Sequence, residues 1–197
     1  SDAGGLATKD TADWSSEITG AGKPEDGADV TSTRINNTVV NGGFEAGDVE
    51  WSKGGGWVIE QDAANARTGS WLARRTKSDG SSSALRSTPT DTPGGISVSE
   101  GDRVLVRGGA KTSSDFTSSS SNPIGWRVSW RDSAGVEFTS SSFGIGSANT
   151  TWQTVRDIKT APAGAAYAVL EGVVFRQTGG TVYIDDGFIT EIPKDVD

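Results

Sequence analysis

From residue 41 onward, short runs of alternating apolar and polar residues are separated by clusters of Gly, Ser, Asn and Asp. Period-2 alternation punctuated by turn-forming residues predicts strands of a sandwich or barrel rather than βαβ units. The predicted strands cover Gly56–Glu60, Ser70–Arg74, Ser83–Ser87, Ile96–Val98, Arg103–Lys111, Gly125–Asp132, Glu137–Thr139, Gln153–Lys159, Ala166–Gln177 and Thr181–Ile192. No segment sustains a helical period. The fold class read from this pattern is all-β.

Two strands can be given faces, because successive side chains point to opposite sides of a sheet, and the late strand divides less clearly. In 103–111, Val104, Val106, Gly108 and Ala110 form the apolar set, and Arg103, Arg107 and Lys111 stand opposite. In 126–131, Trp126, Val128 and Trp130 share one side, and Arg127, Ser129 and Arg131 the other. In the late strand, Ala168, Leu170, Gly172 and Val174 form an inner set, leaving Tyr167, Val169, Glu171, Val173 and Phe175 outside. Ser133-Ala134-Gly135 reads as a hairpin turn between Trp130 and Phe138. Thr112 to Asn122, rich in Ser and Thr, reads as a long mobile loop.

Residues 1–38 are different. Their large apolar side chains are Leu6, Trp14, Ile18, Val30 and Ile35, spread among Gly, Ala, Asp, Thr and Ser. Asp13–Glu17 is suited to cap one helical turn. So polar a stretch cannot bury enough surface to fold alone. It is read as an extended arm, either disordered or packed against sister chains. Domain organisation is then an arm over 1–38, a β-sandwich over 39–192 and a short tail over 193–197.

Composition sharpens this picture. Hydrophobic residues make up 33% of the 197, alongside 27 glycines, so seven tryptophans must supply much of the buried surface. A net charge of −8 speaks against nucleic acid and anionic membrane surfaces as partners. No apolar run is long enough to span a bilayer. With no cysteine, disulfides and thiolate metal sites are excluded. With no histidine, the commonest general base and zinc ligand are gone. The missing methionine suggests a piece of a longer protein.

Six motifs follow in order: Asn41-Gly42-Gly43-Phe44-Glu45-Ala46-Gly47, Ala66–Ala73, Ser99–Val104, Thr151–Val155, Ala161–Ala165 and Val182–Phe188. Together they resemble the jelly-roll carbohydrate-binding modules appended to xylanases and cellulases, in the galactose-binding-domain-like group of β-sandwiches. The resemblance covers 41–192. In the arm, Asp13–Ser16 and Gly22–Ala28 resemble segments of tail-fibre and tail-tip proteins of tailed bacteriophages, where binding domains sit at the end of trimeric shafts.

The resemblance implies a structural calcium ion where the first and last strands meet. Hard cations take oxygen ligands, which places Glu45 and Asp185 as side-chain ligands, with carbonyls near Asn41 and in the Gly69-Ser70 turn completing the set. The alternative is that both carboxylates only accept backbone hydrogen bonds. For sugars, aromatic platforms and planar polar groups are required. Trp57, Trp126, Trp130, Arg107, Arg127 and Glu171 are of the right types. Arg107 and Arg127 are expected on the polar face where the resembled modules have their concave cleft. Trp126 is either core or cleft, Trp57 either a lid or a stopper, and Glu171 either a solvated strand residue or a sugar acceptor. Trp71 and Trp152 are expected to be buried.

Carboxylates alone do not make a hydrolase, and no nucleophile–histidine pair exists here. Gly54-Gly55-Gly56 lacks the residues of a phosphate loop. The expectation is therefore a non-enzyme: a carbohydrate-binding domain on a virion tail protein that adheres to host-surface glycan. A homotrimer through the arm would raise avidity. The alternatives are a targeting module of a secreted glycoside hydrolase, and a virion assembly domain without its own ligand.

Overall fold

The computed structural model describes residues 39, 41–87, 95–146 and 148–193. The arm expected over 1–38, with its helical turn at Asp13–Glu17, lies outside them. A compact unit from Asn36 to Ile192 contains all the strands described. They are β1 (Trp51–Lys53), β2 (Trp57–Gln61), β3 (Trp71–Thr76), β4 (Ser83–Ser87), β5 (Ile96–Ser97), β6 (Arg103–Thr112), β7 (Thr117–Ser118), β8 (Ile124–Arg131), β9 (Glu137–Ile145), β10 (Gln153–Thr160), β11 (Tyr167–Val174), β12 (Gln177–Gly179) and β13 (Thr181–Ile192).

Two antiparallel sheets face each other. One runs β1-β4-β11-β8-β9 with β5 beside β11; the other runs β10-β6-β13-β3-β2. This is an all-β sandwich, one of the two architectures the alternation predicts, and a jelly roll, as the resemblance implies. The apolar sets meet between the sheets: Val104, Val106 and Ala110 from β6, Trp126, Val128 and Trp130 from β8, Leu170 and Val174 from β11, and Ile184 from β13.

Trp126 explains several glycines. A Cβ on Gly108 would run into its indole, and one on Gly187 would crowd it. Its Nε1 donates to the Gly109 carbonyl at 3.2 Å. Burying an indole of this size is worth up to ~4–6 kcal/mol by area, so small residues opposite it cost little beside what it contributes. Trp51 caps the same end, 4.8 Å from the Phe44 ring and 6.3 Å from Trp126.

Three local expectations change. Thr112 to Asn122 is not a free loop: β7 within it pairs with β12, and Phe116 is buried. β9 continues to Ile145 through Ser140, Ser141 and Ser142, which show no apolar alternation; the ladder with β8 holds them instead. Trp71 and Trp152 are half-buried rather than buried. The hairpin at 133–135 forms as read, with Gly135 N–H donating to the Asp132 carbonyl at 2.9 Å.

Candidate functional site

Residues directly opposite in an antiparallel ladder share a face. Register therefore assembles the outer side of the first sheet row by row. Arg86 on β4, Glu171 on β11, Arg127 on β8 and Ser142 on β9 form one row. Val169, Ser129 and Ser140 form the next, and Tyr167, Arg131 and Glu137 the third. A bulge between Trp130 and Arg131 sets Glu137 opposite Arg131, and bulges commonly re-aim side chains near sites.

Glu171 is fully buried and is the hub of this face. Its Oε1 accepts from Arg86 Nε at 2.5 Å and its Oε2 from Arg127 Nε at 2.5 Å. A buried carboxylate is tolerable only with such partners. Glu137 lies farther from both guanidinium groups, at 3.6 Å and 3.8 Å. Arg131 carries a lowered pKa: burial disfavours its charge and Arg86 repels it, against the pull of Glu171 and Glu137. Arg131 Nε and Ser129 Oγ are buried without hydrogen-bond partners.

The sequence-derived sugar contacts separate here. Arg127 and Glu171 meet, and Glu171 is neither solvated nor free. Arg107 is not with them. It lies on β6 of the second sheet, opposite Arg156 and Phe188, with its guanidinium 5.8 Å from the Phe188 ring. Period-2 patterning assigns a side within a strand and says nothing about which sheet that strand joins. Trp126 is 0% exposed in the core and cannot present a face to a ligand. Trp57 is 4% exposed and packs in the same core, so it is a stopper and not a lid. Arg86, Ser129, Arg131 and Glu137 were not singled out from the sequence as contacts. The alternation of Arg127, Ser129 and Arg131 was a signal for two of them; the rest needed cross-strand register.

The second sheet's outer side is occupied by its own contacts. Lys111 Nζ lies 5.1 Å from the Trp152 ring and 4.9 Å from the Tyr183 ring, and donates to Asn65 Oδ1 at 3.1 Å. Burial lowers the pKa of Lys111. Arg67 reaches Asp186 at 2.6 Å and Thr154 at 2.8 Å.

The calcium expectation falls on the turn from Arg67 to Trp71. Asp185 Oδ2 accepts from the N–H groups of Arg67 (2.9 Å) and Thr68 (3.3 Å). Glu45 Oε1 accepts from those of Ser70 (2.9 Å) and Trp71 (3.0 Å). The two carboxylates thus meet through one shared turn, and Gly42 O accepts from Gly187 N–H at 2.9 Å beside it. Asp185 is fully buried. Burial first, and then the charge of Asp186, push its carboxyl up to about 7. A buried acid short of positive charge is the chemistry a cation answers, so Asp185 fits; Glu45 is exposed and fits only as an oxygen donor on the same turn. Asn41 fits less well: its side-chain amide is spent on Ala46, Gly47 and Val49, and its carbonyl accepts from Phe44 N–H and Trp51 Nε1. The Ser70 carbonyl likewise accepts from Asp62 N–H. Among the described residues, no three acidic, His or Cys side chains gather to hold a metal.

No protein-family model matches the chain, and no curated protein matches it in sequence. Solved structures do match in fold. One is the enzymatically active domain of bacteriophage CBA120 tailspike protein 4, with TM-score 0.58 and 16% identity over 79% of this chain and 21% of that one. Another is a family 16 carbohydrate-binding module, with TM-score 0.54 and 14% identity over 78% of this chain and 99% of that one. A third is the Clostridium thermocellum xylanase 10B structure holding CBM22-1 and GH10 modules with xylohexaose, with TM-score 0.55 and 14% identity over 81% of this chain and 28% of that one. The chain thus spans about a fifth of the tailspike chain and over a quarter of the xylanase chain. At these identities the alignments establish the jelly-roll fold.

Proposed function

We propose that this chain is a non-catalytic glycan-binding domain, and that the outer face of its six-stranded sheet is the binding surface. The observation carrying this reading is the grid around Glu171. A fully buried carboxylate holds two arginines by their Nε atoms. That fixes planar guanidinium groups, whose paired N–H donors suit vicinal hydroxyls and carboxylates. Rigid donors lose little freedom on binding. The jelly-roll likeness to carbohydrate-binding modules supports the reading by analogy.

The setting we favour is a virion tail protein that adheres to glycan on the host surface, with the 1–38 arm linking to a shaft or forming a homotrimer. The tailspike likeness supports it. The xylanase likeness supports a second reading equally, a targeting module of a secreted glycoside hydrolase. In either setting, Glu45 and Asp185 would hold a calcium ion that ties the first loop to the last strand. The ion's contribution would be cross-linking, and the sugar chemistry would stay with the arginine grid. A glycan array probed with the purified chain tests the central reading. Binding to a defined saccharide set is expected; a blank array at high protein concentration contradicts it.

A further inference from the structure

We propose that the saccharide bound on this face carries an anionic group, a carboxylate or a sulfate, received by the half-buried guanidinium of Arg131. The inference rests on the glycan-binding reading above and narrows its ligand class. Neutral-sugar sites lean on aromatic platforms. Here the tryptophans of β8 turn inward: Trp126 and Trp130 are both buried, and the outward set is Arg127, Ser129 and Arg131. Of the residues that register sets in the three rows beside them, only Tyr167 is aromatic.

The charge balance of those rows points the same way. Three guanidinium groups, Arg86, Arg127 and Arg131, face two carboxylates, Glu171 and Glu137, leaving one positive charge in excess. Both Glu171 oxygens are engaged by Arg86 and Arg127. Arg131 makes no such bond: its Nε is buried and unpartnered. Two residues away on the same face, Ser129 has no exposed surface, and its Oγ is also unpartnered. Leaving buried donors unmet is costly, and native structures rarely do so without a reason. An anionic oxygen group on the half-buried Arg131 guanidinium supplies it an acceptor and neutralises the excess charge. Charge-assisted bonds of this kind are the strong ones, and the guanidinium fork matches a planar carboxylate. The chain as a whole carries −8 and would repel a polyanion, so attraction must be local to this grid.

The test uses immobilised polygalacturonate, the same polymer with its carboxylates reduced to alcohols, a sulfated polysaccharide and neutral xylan. The full chain is expected to bind polygalacturonate, the sulfated polymer or both, and to bind the reduced polymer and xylan roughly tenfold or more weakly. Which acidic arm binds identifies the anion. Arg131→Gln is expected to erase the preference, and Arg131→Lys to retain part of it. Arg74→Gln, on the other sheet, is expected to change nothing. Equal binding to reduced and native polymer, or an unchanged preference in Arg131→Gln, overturns the proposal and leaves glycan binding standing. No binding to any glycan, here or on the array, overturns both.

Discussion

Arg127 and Glu171 stand directly opposite on β8 and β11, with Nε and Oε2 2.5 Å apart, and the glutamate has no exposed surface. The same carboxylate holds Arg86 from the other side. A pair of long charged side chains on a sheet's outer face is usually solvated and worth little. Here burial makes the carboxylate the element on which the geometry of both arginines depends.

Glu171→Ala leaves two guanidinium groups beside each other with only the more distant Glu137, at 3.6 Å and 3.8 Å, to offset them among the described residues. Breaking a buried pair costs about 3–5 kcal/mol. Arg86 and Arg127 are 38% and 20% exposed, so water recovers part of this; we expect a loss of roughly 2–4 kcal/mol. Urea denaturation checks it, with a lower midpoint and an unchanged slope.

Asp185 gives the domain a pH dependence with a definite sign. Its carboxyl rises from 3.8 to about 7 on folding, chiefly through burial, with Asp186 adding to it. Between those values the folded state holds a proton that the unfolded chain has lost. Stability of the ion-free domain therefore falls as pH rises through this window and levels off above it. Asp185→Asn is expected to flatten the profile. Calcium, which selects the ionised form, is expected to raise the melting temperature at pH 8 and to do nothing at pH 4. At a hundredfold excess over Kd the gain is about 2.7 kcal/mol. A melting temperature unmoved by calcium or chelator at pH 8 removes the ion from the account.

Trp126 belongs to stability rather than to binding. Trp126→Ala is expected to cost about 3–5 kcal/mol by cavity formation, and Gly108→Ala about 1–3 kcal/mol by overpacking against the same indole. Thermal unfolding of both variants checks this. Neither is expected to change glycan selectivity while folded.

The longer strands are legible in the sequence because each strand's alternation is local; β1 and β7, of three and two residues, are too short to show one. Val104 to Ala110 and Trp126 to Trp130 face inward as their patterns require, and β13 spans the residues its pattern marked. What stayed hidden was long-range. The partners of Glu171 come from residues 86 and 127, and only register brings them together. Arg107 and Arg127 have the same alternation and the same charge, yet the topology sends β6 and β8 into different sheets. β9 was underestimated because its serines carry no apolar signal. At the first loop, Glu45 and Asp185 both accept from the backbone of the 67–71 turn, the hydrogen bonding that the sequence leaves open as one of two readings.

The separation of Arg107 from Arg127 offers the most direct test. Arg127→Ala and Arg107→Ala, each shown to be folded by thermal unfolding, are titrated with the glycan that the wild-type chain binds on the array. The account requires Arg127→Ala to lose at least roughly tenfold in affinity and Arg107→Ala to bind as the wild type does. Loss confined to Arg107→Ala, or full binding by Arg127→Ala, would place the site elsewhere on the molecule.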